Sequence, residues 1–156
     1  MDSLALHKAF VEGNVEAIRT LLGDPPDFPN TEGPDWLGNL LTYAIFWSPV
    51  ETVRTLLELG ADAAYEADDG FPPLIATVDR RPRDGADERV EVLRLLLQHG
   101  ADPNRHGMND GTALHQVVWK REGWSDVADA VRVLLQRRRS PPENAHRRLQ
   151  IPPRGC

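Results

Sequence analysis

The stretch Val50 to Asp62, VETVRTLLELGAD, decides how the rest of the chain is read. Val50, Val53, Leu56 and Leu57 recur at helical spacing, with Glu51, Arg54 and Glu58 between them, which predicts a short amphipathic helix. Gly60 comes after the last turn and supplies a left-handed stop that a β-carbon disfavours. Asp62 then offers a carboxylate to a turn backbone. The same text returns as VEAIRTLL (15–22), VEVLRLLL (90–97) and VADAVRVLL (127–135). Their Leu pairs begin at 21, 56, 96 and 134, spacings of 35, 40 and 38 residues. The second and third run into matching tails, LELGAD and LQHGAD.

Upstream of each copy lies a second apolar segment: LALHKAF (4–10), LLTYAIF (40–46), PPLIATV (72–78) and TALHQVV (112–118). Three of these begin at residues suited to cap a helix: Asp2 or Ser3, Asn39 and Thr112. Ala9, Ala44 and Ala76 keep the segment narrow enough for close packing. Each unit therefore reads as helix, turn, helix and connector. One such unit cannot bury its apolar stripe alone, whereas four stacked units share an elongated core.

These residues resemble the ankyrin repeat. Thr112-Ala113-Leu114-His115 is similar to the family's T-P-L-H, Gly13-Asn14-Val15-Glu16 to its inter-helix turn, and Gly100-Ala101-Asp102-Pro103-Asn104 to its connector. The resemblance covers about residues 2–138 and implies an all-α solenoid of four helix-turn-helix units joined by β-hairpin-like connectors. The units fall at about 2–30, 31–66, 67–106 and 107–138 of a domain spanning 1–138, with 139–156 a basic, proline-containing, poorly ordered tail. It also implies that His7 and His115, at the T-P-L-H position, make structural hydrogen bonds between units.

The pattern is broken in informative places. Thr77 to Glu91 spans 14 positions where Ala44 to Glu51 spans 7, so DRRPRDGADERV holds seven extra residues. Val117 to Asp129 spans 12, an excess of five within WKREGWSDVA. Both insertions lie at the turn between paired helices, as tolerated loop drift or as a functional surface. The first connector, Gly23-Asp24-Pro25-Pro26-Asp27, replaces the Gly-Ala-Asp form. In the second, Ala63-Ala64 stands where Pro103-Asn104 stands one unit later, so a hydrogen-bonding side chain is missing. Pro72 takes the place of a capping Thr, and Pro72-Pro73 start the next helix.

The 156 residues are 40% hydrophobic and 27% charged, which fits a folded domain. The net charge of −6 is uneven: from Gln136 onward six arginines face one acid, leaving −11 on the body. Such a body repels nucleic acid, so no nucleic-acid partner is expected. No apolar run spans a bilayer, no secretory signal is visible, and the single Cys156 rules out an internal disulfide framework. The expectation is a cytoplasmic protein, the oligomeric state left open with a monomer favoured, and the arginine-rich, lysine-poor composition fits a bacterial source.

No constellation of groups points to catalysis, and no cofactor or metal is expected. His99 and His106 lack a spaced third ligand, and Glu66, Asp68 and Asp69 lack the alternating oxygen pattern of a calcium loop. Phosphate-loop and nucleophile-elbow signatures are absent. The resemblance implies a scaffold that binds a partner protein through hairpin tips and exposed inner-helix positions. Those slots are Val11/Glu12, Phe46/Trp47, Asp79/Arg80 and Trp119/Lys120 on the helices, and Trp36/Leu37, Glu66, Asp68, Asp69, Phe71, His106, Met108 and Asn109 on the connectors. Three of the four tryptophans (36, 47 and 119) fall there. The predicted contact set is Trp36, Phe46, Trp47, Glu66, Asp68, Asp69, Phe71, Asp79, Arg80, Met108, Trp119 and Lys120. The predicted role is an adaptor or inhibitor, one form being an immunity or antitoxin-like protein masking a basic toxin. The alternative is a structural protein that self-associates through the basic tail or the insertions.

Overall fold

The computed structural model describes residues 2–65, 72–84, 86–107, 110–120 and 127–139, with 137–139 described by backbone alone. Its helices come in pairs. These are α1 (Ser3–Glu12) with α2 (Val15–Leu21), α3 (Leu40–Trp47) with α4 (Val50–Glu58), α5 (Pro73–Ala76) with α6 (Arg89–Gln98), and α7 (Ala113–Trp119) with α8 (Val127–Arg139). A 3-10 turn, Thr77–Asp79, continues α5. The first members stack as α1-α3-α5-α7 and the second as α2-α4-α6-α8, so two helical layers run the length of the array.

Local chemistry starts each inner helix where the sequence predicts. The Asp2 carboxylate accepts the backbone N–H groups of Leu4 and Ala5, and the Asn39 side-chain Oδ1 accepts that of Thr42. Thr112 and His115 form a capping box in which the Thr112 N–H donates to His115 Nδ1 at 3.1 Å. Pro72 sits at the N-cap of α5 with Pro73 at the first helical position, where a missing N–H costs nothing. Between the layers lie Leu6, Phe10 and Ile18, then Leu41, Ile45, Val53 and Leu56, then Leu74, Leu93 and Leu96, and finally Val117 and Leu134. Each large side chain buried this way stabilises the array by roughly 2 kcal/mol.

The connectors contain no β-strand among the described residues; the first is closed by a single antiparallel bridge between Glu32 and Asn39. Gly60 and Gly100 hold φ of 102° and 98°. Asp62 accepts the Ala64 N–H and Asp102 the Asn104 N–H, each at 2.9 Å. The first connector supplies a link the sequence does not announce. Asn30 Nδ2 donates to the Gly60 carbonyl and Asn30 Oδ1 accepts the Asp62 N–H, both at 2.9 Å. Pro29-Asn30 is the first unit's version of Pro103-Asn104, and Ala63-Ala64 lacks that reach.

The insertion of the third unit turns inward. Arg80 is not a surface contact residue: its side chain is 1% exposed. Its Nη1 donates to the Ile45 carbonyl at 2.6 Å and its Nη2 to Glu88 at 3.0 Å. Burial pushes the guanidinium pKa down from its ordinary value, and Glu88 pulls it back up. Arg83 donates to the Trp47 carbonyl at 2.6 Å and the Val11 carbonyl at 3.1 Å. Arg89 clasps Asp87 through both carboxylate oxygens, at 2.9 and 2.7 Å. An antiparallel bridge between Arg83 and Ala86 closes the loop. The insertion thus places cations on the final turns of α1 and α3, whose orphan carbonyls carry partial negative charge. The same end of the array is stitched twice more. Ser48 Oγ donates to the Phe10 carbonyl at 2.6 Å, and Lys120 Nζ pairs with Asp79 at 2.8 Å. Each unit reaches back to the one before it.

Candidate protein-binding face

Trp36 precedes α3 in the first connector, and Trp47 is the last residue of that helix. Between them Tyr43 is the hub of a ring cluster. Trp36 meets it edge-on at 5.8 Å, Phe10 at 4.8 Å and His7 at 6.0 Å, while Trp47 lies tilted at 6.4 Å. His7 also meets Trp47 edge-on at 5.1 Å, and His7 Nδ1 is hydrogen-bonded to Tyr43 Oη at 2.7 Å. Phe10 is wholly buried, so the cluster is rooted in the core, whereas Trp36 and Trp47 remain 47% and 46% exposed. Burial pushes the Tyr43 phenol pKa up. Leu4 and Val11 on α1 are also exposed.

At the far end of the stack Trp119 is 60% exposed. It lies near the His115 ring at 5.7 Å and close over Gly111, where a β-carbon would sit 3.0 Å from the indole. Asp79 and Lys120, predicted as separate contact residues, are joined by their ion pair. Phe46 is partly buried and packs against the core, so it presents less surface than Trp47, and Leu37 is buried outright. Glu66, Asp68, Asp69, Phe71 and Met108 lie outside the described residues, as does Asn109. His7 bridges two units through Tyr43, but His115 bonds inside its own unit as a cap. Sequence reasoning missed Tyr43. It stands four residues before Trp47, hence on the same stripe of α3, and that spacing was the available signal.

The remaining described histidines serve local structure: His99 Nδ1 bonds the Leu95 carbonyl and His106 Nδ1 the Asp110 carbonyl, each at 2.8 Å. Among the described residues no three of His, Cys, Asp and Glu come together as a metal site, and no helix is long and apolar enough to cross a membrane.

This two-layer stack matches the crystal structure of an ankyrin repeat domain from Acinetobacter baumannii, with a TM-score of 0.64 and 24% identity. That match covers 84% of this chain and 62% of the other. The human ASB11 ankyrin repeat domain matches with a TM-score of 0.60 and 28% identity over 85% of this chain and 52% of that one. The profile of the family described as Ankyrin repeat matches residues 69–107. The chain is an ankyrin-repeat solenoid. The ankyrin stretch is 33% identical over 98 residues to the sheep (Ovis aries) "Ankyrin repeat, SAM and basic leucine zipper domain-containing protein 1", covering 62% of this chain and 19% of the relative. It is 41% identical over 73 residues to the mouse (Mus musculus) "2-5A-dependent ribonuclease", 46% of this chain and 9% of that protein. The ankyrin chain thus spans about a fifth or less of the length of these relatives. Ankyrin repeat domains generally mediate protein–protein interaction and are typically non-catalytic modules.

Proposed function

We propose that this ankyrin protein is a non-catalytic binding module that engages a basic partner protein through the face carrying Trp36, Tyr43, Trp47 and Trp119, acting as an adaptor or inhibitor. The supporting observation is the exposure of the three indoles, two of them set on a ring cluster rooted in the core through Tyr43 and Phe10. Large aromatic side chains on rigid supports, rimmed by charge, are the residues that most often dominate binding energy. A body charge of −11 favours fast encounter with a positively charged surface. A single cysteine in 156 residues fits action in a reducing compartment such as the cytoplasm. The contribution of Glu66, Asp68, Asp69, Phe71 and Met108 belongs to the same proposal.

The test is affinity capture from the native organism with the wild type and a Trp47→Ala/Trp119→Ala variant. The variant is expected to keep its helical circular dichroism and lose the specific partner. Equal recovery of the same partner by both proteins refutes the assignment of this face.

A further inference from the structure

We infer that the three rings of Trp36, Tyr43 and Trp47 form a seat for one arginine side chain of that partner. The inference rests on the binding face proposed above and adds the chemistry of its central contact.

Geometry is the first support. Trp36 meets Tyr43 at an interplanar angle of 77° and Trp47 meets it at 42°, while His7 meets Trp47 at 79°. None of these is a parallel stack, so no indole face is spent on a ring lying flat upon it. Two half-exposed indoles flank a tyrosine whose hydroxyl is already engaged by His7. The Tyr43 hydroxyl is thereby satisfied within the cluster, and the exposed half of each indole is the surface open to a guest. Negative ring faces attract a cation, and a planar guanidinium can lie flat on an indole while its hydration is weak.

Charge is the second support. Residues 2–65 carry ten carboxylates against three cations, a net charge of −7. All three cations already have carboxylate partners: Lys8 with Glu12, Arg19 with Asp24, and Arg54 with Glu51 and Glu91. Asp35 directly precedes Trp36, and Glu32 lies in the same connector; both are exposed. Arg19, which also lies over the Phe28 ring at 5.7 Å, is engaged away from the cluster and leaves the three-ring seat to an outside guest. Arg83, bonded to the Trp47 carbonyl, sets one positive charge against the −7 of residues 2–65, and the balance stays negative; an apolar guest gains from the indoles alone, whereas an arginine gains from both.

The test titrates the full chain with two short blocked peptides, Gly-Arg-Gly and Gly-citrulline-Gly, monitored by nitrogen–proton correlation spectra. Citrulline keeps the shape of arginine and removes its charge. The arginine peptide is expected to shift the indole N–H signals of Trp36 and Trp47 saturably, leaving that of Trp119 in place, while citrulline shifts none of them. Trp47→Leu, which keeps apolar bulk and removes the ring, is expected to weaken arginine binding roughly tenfold, and Trp47→Phe to weaken it less. Equal shifts with citrulline overturn the inference. So does arginine binding that is unchanged in Trp47→Leu. If arginine fails while Trp47→Leu still loses the captured partner, the seat is refuted and the binding face stands. If arginine binds as expected but the partner ignores both tryptophans, the binding face fails instead.

Discussion

Replacing Arg80 with alanine tests whether the insertion of the third unit holds the array together. The guanidinium is 1% exposed and satisfies the Ile45 carbonyl in the last turn of α3 at 2.6 Å. Alanine leaves that carbonyl without its donor, a loss of about 1–3 kcal/mol, and opens a void where the three-carbon stem packed, worth about 1–2 kcal/mol more. Glu88 is 31% exposed and can return to water, so its lost partner adds little. The expected total is about 2–5 kcal/mol, against about 5–15 kcal/mol for a whole domain. Arg80→Met keeps the stem and loses only the donors, so it should cost about 1–3 kcal/mol and less than alanine. Glu88→Gln keeps an acceptor for Nη2 and should cost less than about 1 kcal/mol. Urea denaturation monitored by circular dichroism ranks the three variants. A loss below about 0.5 kcal/mol for Arg80→Ala refutes the clamp. A loss for Glu88→Gln equal to that of Arg80→Met shows that the ion pair, not the helix-end carbonyl, carries the energy.

Ala64→Asn in the second connector is expected to gain about 1 kcal/mol by copying onto the next connector the two hydrogen bonds that Asn30 makes to Gly60 and Asp62, and Asn30→Ala to lose about 1–2 kcal/mol. Equal stabilities by urea denaturation contradict the connector ladder. Ser48→Ala removes a wholly buried donor to the Phe10 carbonyl and is expected to cost about 1–2 kcal/mol, with faster amide exchange at the end of α1; unchanged exchange there argues against the stitch.

The fold was legible because its signals are local and repeated. A Leu pair with Gly-Ala-Asp after it marks the end of an outer helix, and Asp2, Asn39 and Thr112 cap inner helices through bonds spanning two or three residues. Arg80 departs from its expected slot for a geometric reason. Counting slots from Thr77, the position equivalent to Ala44, assumes an α-helix of constant pitch, but α5 gives way after Ala76 to a 3-10 turn. Advancing about 120° instead of about 100° per residue rotates the chain beyond Ala76 by roughly 60° over three residues. Arg80 then leaves in extended conformation and points under α3 instead of outward. Tyr43 escaped notice because a half-buried aromatic at a packing position reads as core. Its role depends on Trp36 from a connector and His7 from another unit, a meeting that only the stacked structure reveals.

Clamp and binding face share atoms, which leads to the furthest-reaching prediction. Arg83 holds the carbonyl of Trp47 itself and that of Val11, while the Trp47 side chain forms one wall of the ring cluster. Trp47 ends its helix, so its carbonyl has no partner within α3 and its backbone depends on that contact. The arginine is partly exposed, and solvent screening limits its removal to about 1 kcal/mol of stability. The larger expected effect is local. Arg83→Ala should broaden or shift the Trp47 indole N–H signal, leave that of Trp119 unchanged, and weaken partner binding several-fold although Arg83 need not touch the partner. Arg83→Lys keeps the charge at the helix end but cannot span two carbonyls with a planar fork, so it should restore only part of the effect. If Arg83→Ala lowers stability yet leaves the Trp47 signal and the partner affinity at wild-type values, the insertion is a brace alone. If both change together, the seven extra residues of the third unit set the position of a tryptophan two helices away.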